Sequence, residues 1–409
     1  MTAIPGPAPA LSERAMSLLG ALLVAIGPLS LALYTPAMPT VARALATDPA
    51  MVKLSLTVYL AGFAVAQLIC GPLSDRYGRR PVILGFTGLY ILGALACLAA
   101  PGIGGLLAGR LVQGIGACAS VALSRAMVSD LFKGQTAARI MSTIGMILSV
   151  APAVAPVIGA QLLLFASWRW LFAMMAGYGA LLVLLVLLRV PETNHDRDPQ
   201  ALRPGRMAAN YLTLLTDARY LRFVLLGALA IGGLFTFSAI VPFVLIDRVG
   251  FSPEGYSYLM GTSTGAYFLG AALTNRLLRR RPAAELVGWG AAAILASGLA
   301  LGGGLALFGP SGWTVMAPVC VWTGGLALIM PGATMGALAP FRTMAGAASA
   351  LMGALQMGSG VAGSALAAAL TDSTLALAVV PGAMAVAGTL AYVALRPAAG
   401  GASAAAPAE

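Results

Sequence analysis

Apolar residues in this chain come in long unbroken runs, not at a spacing that would mark one face of a soluble helix or strand. Bounded by charged residues, Pro and Gly, the runs fall near residues 16–38, 52–73, 82–100, 103–124, 137–164, 168–188, 221–246, 255–273, 284–308, 312–334, 344–370 and 373–395. A helix of about 20 residues crosses the hydrocarbon layer of a bilayer, and it satisfies its own backbone hydrogen bonds where no water is available. The pattern therefore predicts twelve transmembrane helices in an all-α membrane protein. One long polar stretch, Pro191 to Asp217, separates the sixth run from the seventh and carries His195, Asp196, Arg197, Asp198, Arg203 and Arg206. Two six-helix halves are expected, at 16–190 and 219–396, joined by a hydrophilic linker at 191–218. A tail at 1–15 precedes them, and an Ala/Gly/Pro tail at 397–409 offers too little apolar variety to pack and is expected to be disordered.

Composition agrees with this reading. Hydrophobic residues make up 59% of the 409 and charged ones 9%, with a mean hydropathy of +0.91, whereas soluble domains carry about 25% charged residues. The N-terminal apolar run lacks the basic flank of a cleaved signal peptide and reads as a retained helix. Cys70, Cys97, Cys118 and Cys320 sit inside apolar runs without CxxC spacing, and His195 is the sole histidine. Metal sites and His-based triads lack the residues they need, so no catalytic residue, metal or cofactor is expected.

The charge pattern gives an orientation. With a cytoplasmic N-terminus, all but five of the 24 Lys and Arg residues fall on the cytoplasmic side; Arg43, Lys53, Arg169 and Arg248 lie outside, and Arg110 lies within a span. This bias follows the positive-inside rule and places both termini in the cytoplasm. The net charge of +11 is scattered over short loops instead of lining one face, which points to anionic lipid headgroups and away from nucleic acid.

An internal echo supports the two halves. Leu73-Ser74-Asp75-Arg76-Tyr77-Gly78-Arg79-Arg80-Pro81 follows the second run, and Leu273-Thr274-Asn275-Arg276-Leu277-Leu278-Arg279-Arg280-Arg281-Pro282 follows the eighth, at an offset of 200 residues. Parallel repeats of this kind build one architecture of secondary transporters. The first of these loops, with Gly71 and Pro72 before it, resembles the loop signature of the major facilitator superfamily. A generic basic loop would require neither Asp75 nor the two glycines.

The resemblance implies that Gly71, Asp75, Arg76, Gly78, Arg79 and Arg80 form part of a cytoplasmic gate. In the family the loop's aspartate braces that gate, and Arg125 and the start of span 11, near Thr343, are the expected receivers. Arg110-Leu111-Val112-Gln113-Gly114-Ile115-Gly116 is similar to the family's span 4 motif. A guanidinium at mid-bilayer costs about 3 kcal/mol unless it meets water or a partner, so Arg110 is expected to point inward beside Gln113 and to contact substrate. The bland alternative is an arginine near the surface that snorkels to headgroups.

Ala151-Pro152-Ala153-Val154-Ala155-Pro156-Val157-Ile158-Gly159 resembles the span 5 motif of drug/proton antiporters. Pro152, Pro156 and Gly159 would let this helix bend and let a neighbour approach; a kinked packing helix is the plain alternative. Leu33-Tyr34-Thr35-Pro36-Ala37-Met38-Pro39 and the segment Gly346 to Gln356 look like the Bcr/CflA drug-resistance branch. That branch implies a proton-coupled exporter of the bacterial inner membrane.

One position departs from the branch: Ala32 stands where an aspartate is usual. None of the 13 acids lies deep in a span, and arginine does not release its proton. Proton antiport thus rests on the resemblance alone. With Arg110 in the cavity, neutral, zwitterionic or anionic compounds are expected over cations. Further lining candidates are Tyr34, Tyr59, Phe235, Phe237, Tyr267, Trp322 and Gln356. The reading is a monomeric alternating-access exporter of small amphipathic compounds; a metabolite facilitator or importer is the nearest rival. An intramembrane enzyme is remote, because the clustered acids it needs are absent from the spans.

Overall fold

A computed structural model of the chain describes residues 11–132, 134–194 and 197–396, excepting the side chains of 134, 135, 138, 142, 145–153, 342 and 343. The tails at 1–10 and 397–409, and His195 and Asp196, lie outside these residues. Twelve long helices are present among the described residues. The first six are α1 (Glu13–Ala32), α2 (Pro49–Tyr77), α3 (Arg79–Leu98), α4 (Ile103–Leu131), α5 (Gly134–Phe165) and α6 (Arg169–Arg189). The second six are α7 (Ala218–Pro242), α8 (Pro253–Leu277), α9 (Ala283–Phe308), α10 (Gly312–Leu338), α11 (Ala345–Ala369) and α12 (Ser373–Ala394).

Counting described residues alone, ten of them are long and apolar enough to cross a membrane. In α8, Ser, Thr, Tyr and Gly interrupt the apolar run, and several of these side chains face a cavity. The first run does not form one continuous helix. Pro36 and Pro39 cannot donate to a preceding turn, so α1 gives way to a short 3₁₀ turn at Thr35–Ala37 and a separate helix at Met38–Ala44.

Within the first six helices, α4 packs closely against α2 and α3. Small residues make this possible, as is usual between helices in lipid. A Cβ on Gly114 would strike the backbone of Tyr59 in α2, and one on Gly116 would strike the backbone of Tyr90 in α3. The two groups of six meet along α2 against α11 and α8 against α5. Adding six to α2 and α5 gives α8 and α11, so the interface repeats itself.

The polar stretch between the halves is more structured than its composition suggests. Residues Pro204–Thr216 form an amphipathic helix, started by Pro204, with Leu214 fully buried and Leu212 and Leu215 exposed. The Tyr211 hydroxyl donates to the carbonyl of Leu68 in α2 at 2.8 Å. The segment is thus tied to the body of the protein instead of spanning it as a plain hydrophilic tether.

Candidate functional site

A cavity of about 400 Å³ lies between the two groups of six. The first group supplies an apolar wall that includes Pro28, Leu31 and Ala32 of α1, Leu56 and Leu60 of α2, and Pro156 of α5. The second supplies Phe235, Phe237 and Ser238 of α7, Tyr256, Met260, Ser263, Thr264 and Tyr267 of α8, and Thr323 and Leu326 of α10. No Asp, Glu, Lys or Arg is among them. Ala32, where the sequence resemblance leads one to look for a carboxylate, presents only a methyl group to this space.

Of the residues singled out for substrate contact, the cavity wall contains Phe235, with Phe237 and Tyr267 beside it. Arg110, Gln113, Tyr34 and Tyr59 are brought together elsewhere, inside the first six helices. Arg110 is completely buried, which removes the snorkelling alternative. Its guanidinium lies 4.6 Å from the ring centroids of both Tyr34 and Tyr59 and 5.7 Å from that of Phe172. It donates to Gln113 Oε1 at 2.8 Å and to the carbonyl of Ser30 at 3.3 Å, while its Nε has no partner. Among the described residues no carboxylate pairs with it, so aromatic faces and amide dipoles stabilise the cation. The one-turn spacing of Arg110 and Gln113 placed them on one helix face in the sequence; the enclosing aromatics come from the turn after α1, from α2 and from α6 and carry no local signal. Trp322 is buried and donates from Nε1 to the carbonyl of Ala230 at 3.0 Å. Gln356 is half-buried in α11, away from the cavity wall.

The loop between α2 and α3 lies on the face that carries the linker. Asp75 pairs with Arg79 at 2.5 Å, and Arg79 Nε also donates to Asp130 Oδ2 at 3.0 Å. Arg125 lines a vestibule of about 550 Å³ on this face together with Asp75, Arg79, Gly71 and the start of α11 at Met344–Gly346, but Asp75 is bonded to Arg79 and not to Arg125. Arg76 stacks on Tyr77 at 5.2 Å, and Arg80 donates to the carbonyl of Leu187 at 2.9 Å. Gly78 adopts φ +103°, and a Cβ there would meet the carboxylate of Glu192, so glycine is required twice over.

That carboxylate is a functional group the sequence did not single out. Glu192 Oε1 accepts from the backbone N–H of Arg79 at 2.8 Å, and Oε2 accepts from that of Arg80 at 3.2 Å. Oε1 also accepts from Thr193 and Asn194 at 3.0 and 2.9 Å. It caps the N-terminus of α3, where free N–H groups favour an anion. Asn194 continues the brace by donating to the carbonyls of Ser74 and Asp75. A Glu just after a long apolar run was the available signal; its distant partners were not visible. Among the described residues the echo loop after α8 shows no such device. Leu278 sits there at φ −59°, and Arg281 pairs with Glu285, four positions on, at 3.5 Å.

On the opposite face the two groups of six are joined. Arg43 pairs with Asp247 at 2.9 Å. Lys53, only 2% exposed, donates to Ser373 Oγ at 2.7 Å and lies 5.3 Å from the Phe243 ring centroid. The Ser257 hydroxyl of α8 donates to the carbonyl of Pro156 in α5 at 3.0 Å or to that of Pro253 in its own helix at 2.8 Å, and the Gly159 backbone lies close against the carbonyl of Leu33. The side chain of Pro152 is outside the described set.

Twelve long helices in two like groups, closed together at one face around a central cavity, define a membrane transporter of the two-bundle type. The chain belongs to the Major Facilitator Superfamily, which it matches over residues 20–368. Membership makes it a transporter and not an enzyme. It is 30% identical over 366 residues to a bicyclomycin resistance protein homolog of Haemophilus influenzae, covering 89% of this chain and 92% of that protein. Multidrug resistance protein D of Escherichia coli is 29% identical, with 83% and 85% covered. An uncharacterized transporter of the superfamily from Bacillus subtilis, YdgK, is 37% identical over 266 residues, covering 64% and 66%. Among solved structures, a partially occluded inward-open form of the xylose transporter XylE from E. coli superposes with a TM-score of 0.73 at 14% identity, covering 94% of this chain and 98% of that one. This last likeness concerns the fold.

Proposed function

We propose that the chain exports small, uncharged amphipathic compounds from the cytoplasm by alternating access, as a monomer in a bacterial-type cytoplasmic membrane. The observation that carries this reading is the charge-free cavity between the two halves. About 400 Å³ suits a drug-sized ligand, and a mainly apolar wall with a few polar groups is how such ligands are held. A cation entering it would lose its hydration with no carboxylate to replace the water, and an anion would find no base, since Arg110 is enclosed elsewhere. The positive-inside bias puts the linker face in the cytoplasm. The conformation then has its outer face closed by Lys53, Arg43 and Ser257, with the vestibule on the inner side.

Relatives named for resistance to bicyclomycin, to several drugs and to chloramphenicol support export over import. Proton antiport comes from family likeness; the cavity wall itself holds no acid. The test is drug susceptibility of an efflux-deficient host expressing the chain, with and without a protonophore, and with Phe235→Ala alongside. Protection against uncharged antibiotics that Phe235→Ala reduces is expected. Faster export of cationic dyes than of uncharged antibiotics would overturn the proposal.

A further inference from the structure

We infer that the central cavity selects ligands that donate hydrogen bonds, because its hydroxyl groups are held as acceptors. This rests on the proposed role of the cavity as the substrate site. The side chains that interrupt the apolar run of α8 are part of a hydroxyl-bearing wall shared with α7 and α10, and most of these hydroxyl protons are already committed. Ser238 donates to the carbonyl of Leu234 at 2.8 Å, and Ser263 to that of Met260 at 2.7 Å. Thr323 donates to the carbonyl of Ser263 at 2.9 Å or of Cys320 at 3.1 Å. Across the cavity, Thr35 donates to the carbonyl of Ala32 at 3.1 Å.

A hydroxyl has one proton and two lone pairs. Once the proton is spent on a helix carbonyl, the lone pairs are what remains for a ligand. Four groups from four segments, Thr35, Ser238, Ser263 and Thr323, therefore present acceptors, and the Lys, Arg, Asn or Gln side chains that would supply fixed donors are missing from the wall. Tyr256, Thr264 and Tyr267 are the hydroxyl groups in this wall without a hydrogen bond to a described residue, so four of its seven hydroxyl protons are committed.

The remaining wall, from Leu31, Leu56 and Leu60 to Phe235, is apolar. A ligand that carries O–H or N–H groups on one side of an apolar body satisfies both walls at once. A ligand of the same size with only ether, nitrile or fluorine acceptors sets lone pairs against lone pairs, and loses its water without compensation. The substrate class is thus uncharged amphipathic compounds bearing several hydrogen-bond donors, such as diols and secondary amides with an aromatic or aliphatic body.

The experiment uses the full chain in lipid nanodiscs and measures binding of two uncharged probes, 1-(biphenyl-4-yl)propane-1,3-diol and its 1,3-difluoro analogue. They match in size and differ in their O–H donors. The diol is expected to bind about tenfold tighter, since two hydrogen bonds are made or lost. Thr323→Val and Ser263→Ala should each shrink that ratio to about threefold, and Thr323→Ser should restore it, separating the acceptor's role from damage to packing. Equal binding of the two probes, weakened for both by Phe235→Ala, would overturn the donor rule while leaving the cavity as the site. Binding of neither probe, or binding insensitive to Phe235→Ala, would overturn the assignment of the cavity itself.

Discussion

Replacing Glu192 tests the brace that the structure adds to the loop between α2 and α3. In Glu192→Ala, the N–H groups of Arg79 and Arg80 lose acceptors at 2.8 and 3.2 Å. Hydrogen bonds to a charged group contribute about 1.5–3 kcal/mol each, and an anion at a helix N-terminus adds about 0.3–1 kcal/mol. Glu192 is half-buried, so screening takes the sum toward its lower end, and about 3 kcal/mol of local stability should disappear. Glu192→Gln keeps an acceptor without the charge and should cost about 1 kcal/mol. Local stability of this kind is read by amide hydrogen exchange of Arg79, Arg80 and Val82 in nanodiscs. A loss of about 3 kcal/mol corresponds to exchange faster by about 100-fold; the Gln variant should show about fivefold. Amides near Gly116, in the middle of α4, serve as the internal reference and should be unmoved. Equal exchange at Arg79, Arg80 and Val82 in the parent and the Ala variant would refute the reasoning, because the carboxylate would then contribute nothing that water does not supply.

Three further outcomes follow from the same geometry. Lys53→Met preserves the length of the side chain but removes the cross-half bond to Ser373, and thiol labelling of Ser263→Cys from the outer face should rise about tenfold; Asp247→Asn, which breaks the exposed pair with Arg43, should change labelling less than threefold. Arg110→Lys gives up the planar contacts with two tyrosines and the bonds to Gln113 and Ser30, and should lower the melting temperature by several degrees in detergent, because an ammonium does not replace a stacked fork; an unchanged melting curve would count against the cage. The carboxyl of Asp372 is held below its ordinary 3.8 by N–H donation from Thr374, with Leu375 and Arg248 adding to it. For a depressed carboxylate, the stabilisation is full above the ordinary value and is lost as pH falls through the lowered one. Parent and Asp372→Asn should therefore differ in melting temperature at neutral pH and converge as acid protonates the lowered carboxyl, below the ordinary carboxylate range; a constant difference would argue that Asp372 acts only by shape.

The twelve helices were legible because lipid leaves one backbone solution for each apolar run, and the run lengths carry it without tertiary information. The breaks were less legible. Pro36 and Pro39 divide the first run at a point where hydropathy is unbroken, and the linker helix around Tyr211 was hidden by the charges on either side of it. Gly78 could be read as a turn because a single residue's φ requirement is local. Glu192 could not, since its meaning depends on amide groups 112 and 113 positions earlier in the chain. The cavity residues divide the same way. Phe235 was named as an aromatic in a span, but Ser238, Ser263, Thr264 and Thr323 were passed over. A Ser or Thr in a membrane helix bonds to its own backbone wherever it sits, so its identity alone does not say whether its oxygen faces lipid, another helix or a cavity.

The placement of Arg110 bears most directly on mechanism. Its position in a span and its neighbour Gln113 made a substrate contact the natural expectation, yet the structure encloses both in a shell of Tyr34, Tyr59 and Phe172 within one half. A buried cation without a carboxylate is held only while that shell stays intact, so the first six helices have reason to move as one body. The cavity meanwhile borders Ala32, not an acid, and its wall is charge-free on both sides. Under the proposed function, keeping Arg110, the one fully buried guanidinium among the described residues, away from the cargo would let the cavity desolvate an uncharged ligand without also having to neutralise it. Restoring a carboxylate by Ala32→Asp sets the two designs against each other. The variant should admit cations and bind uncharged probes less well, whereas unchanged selectivity would mean that the wall at position 32 does not meet the ligand.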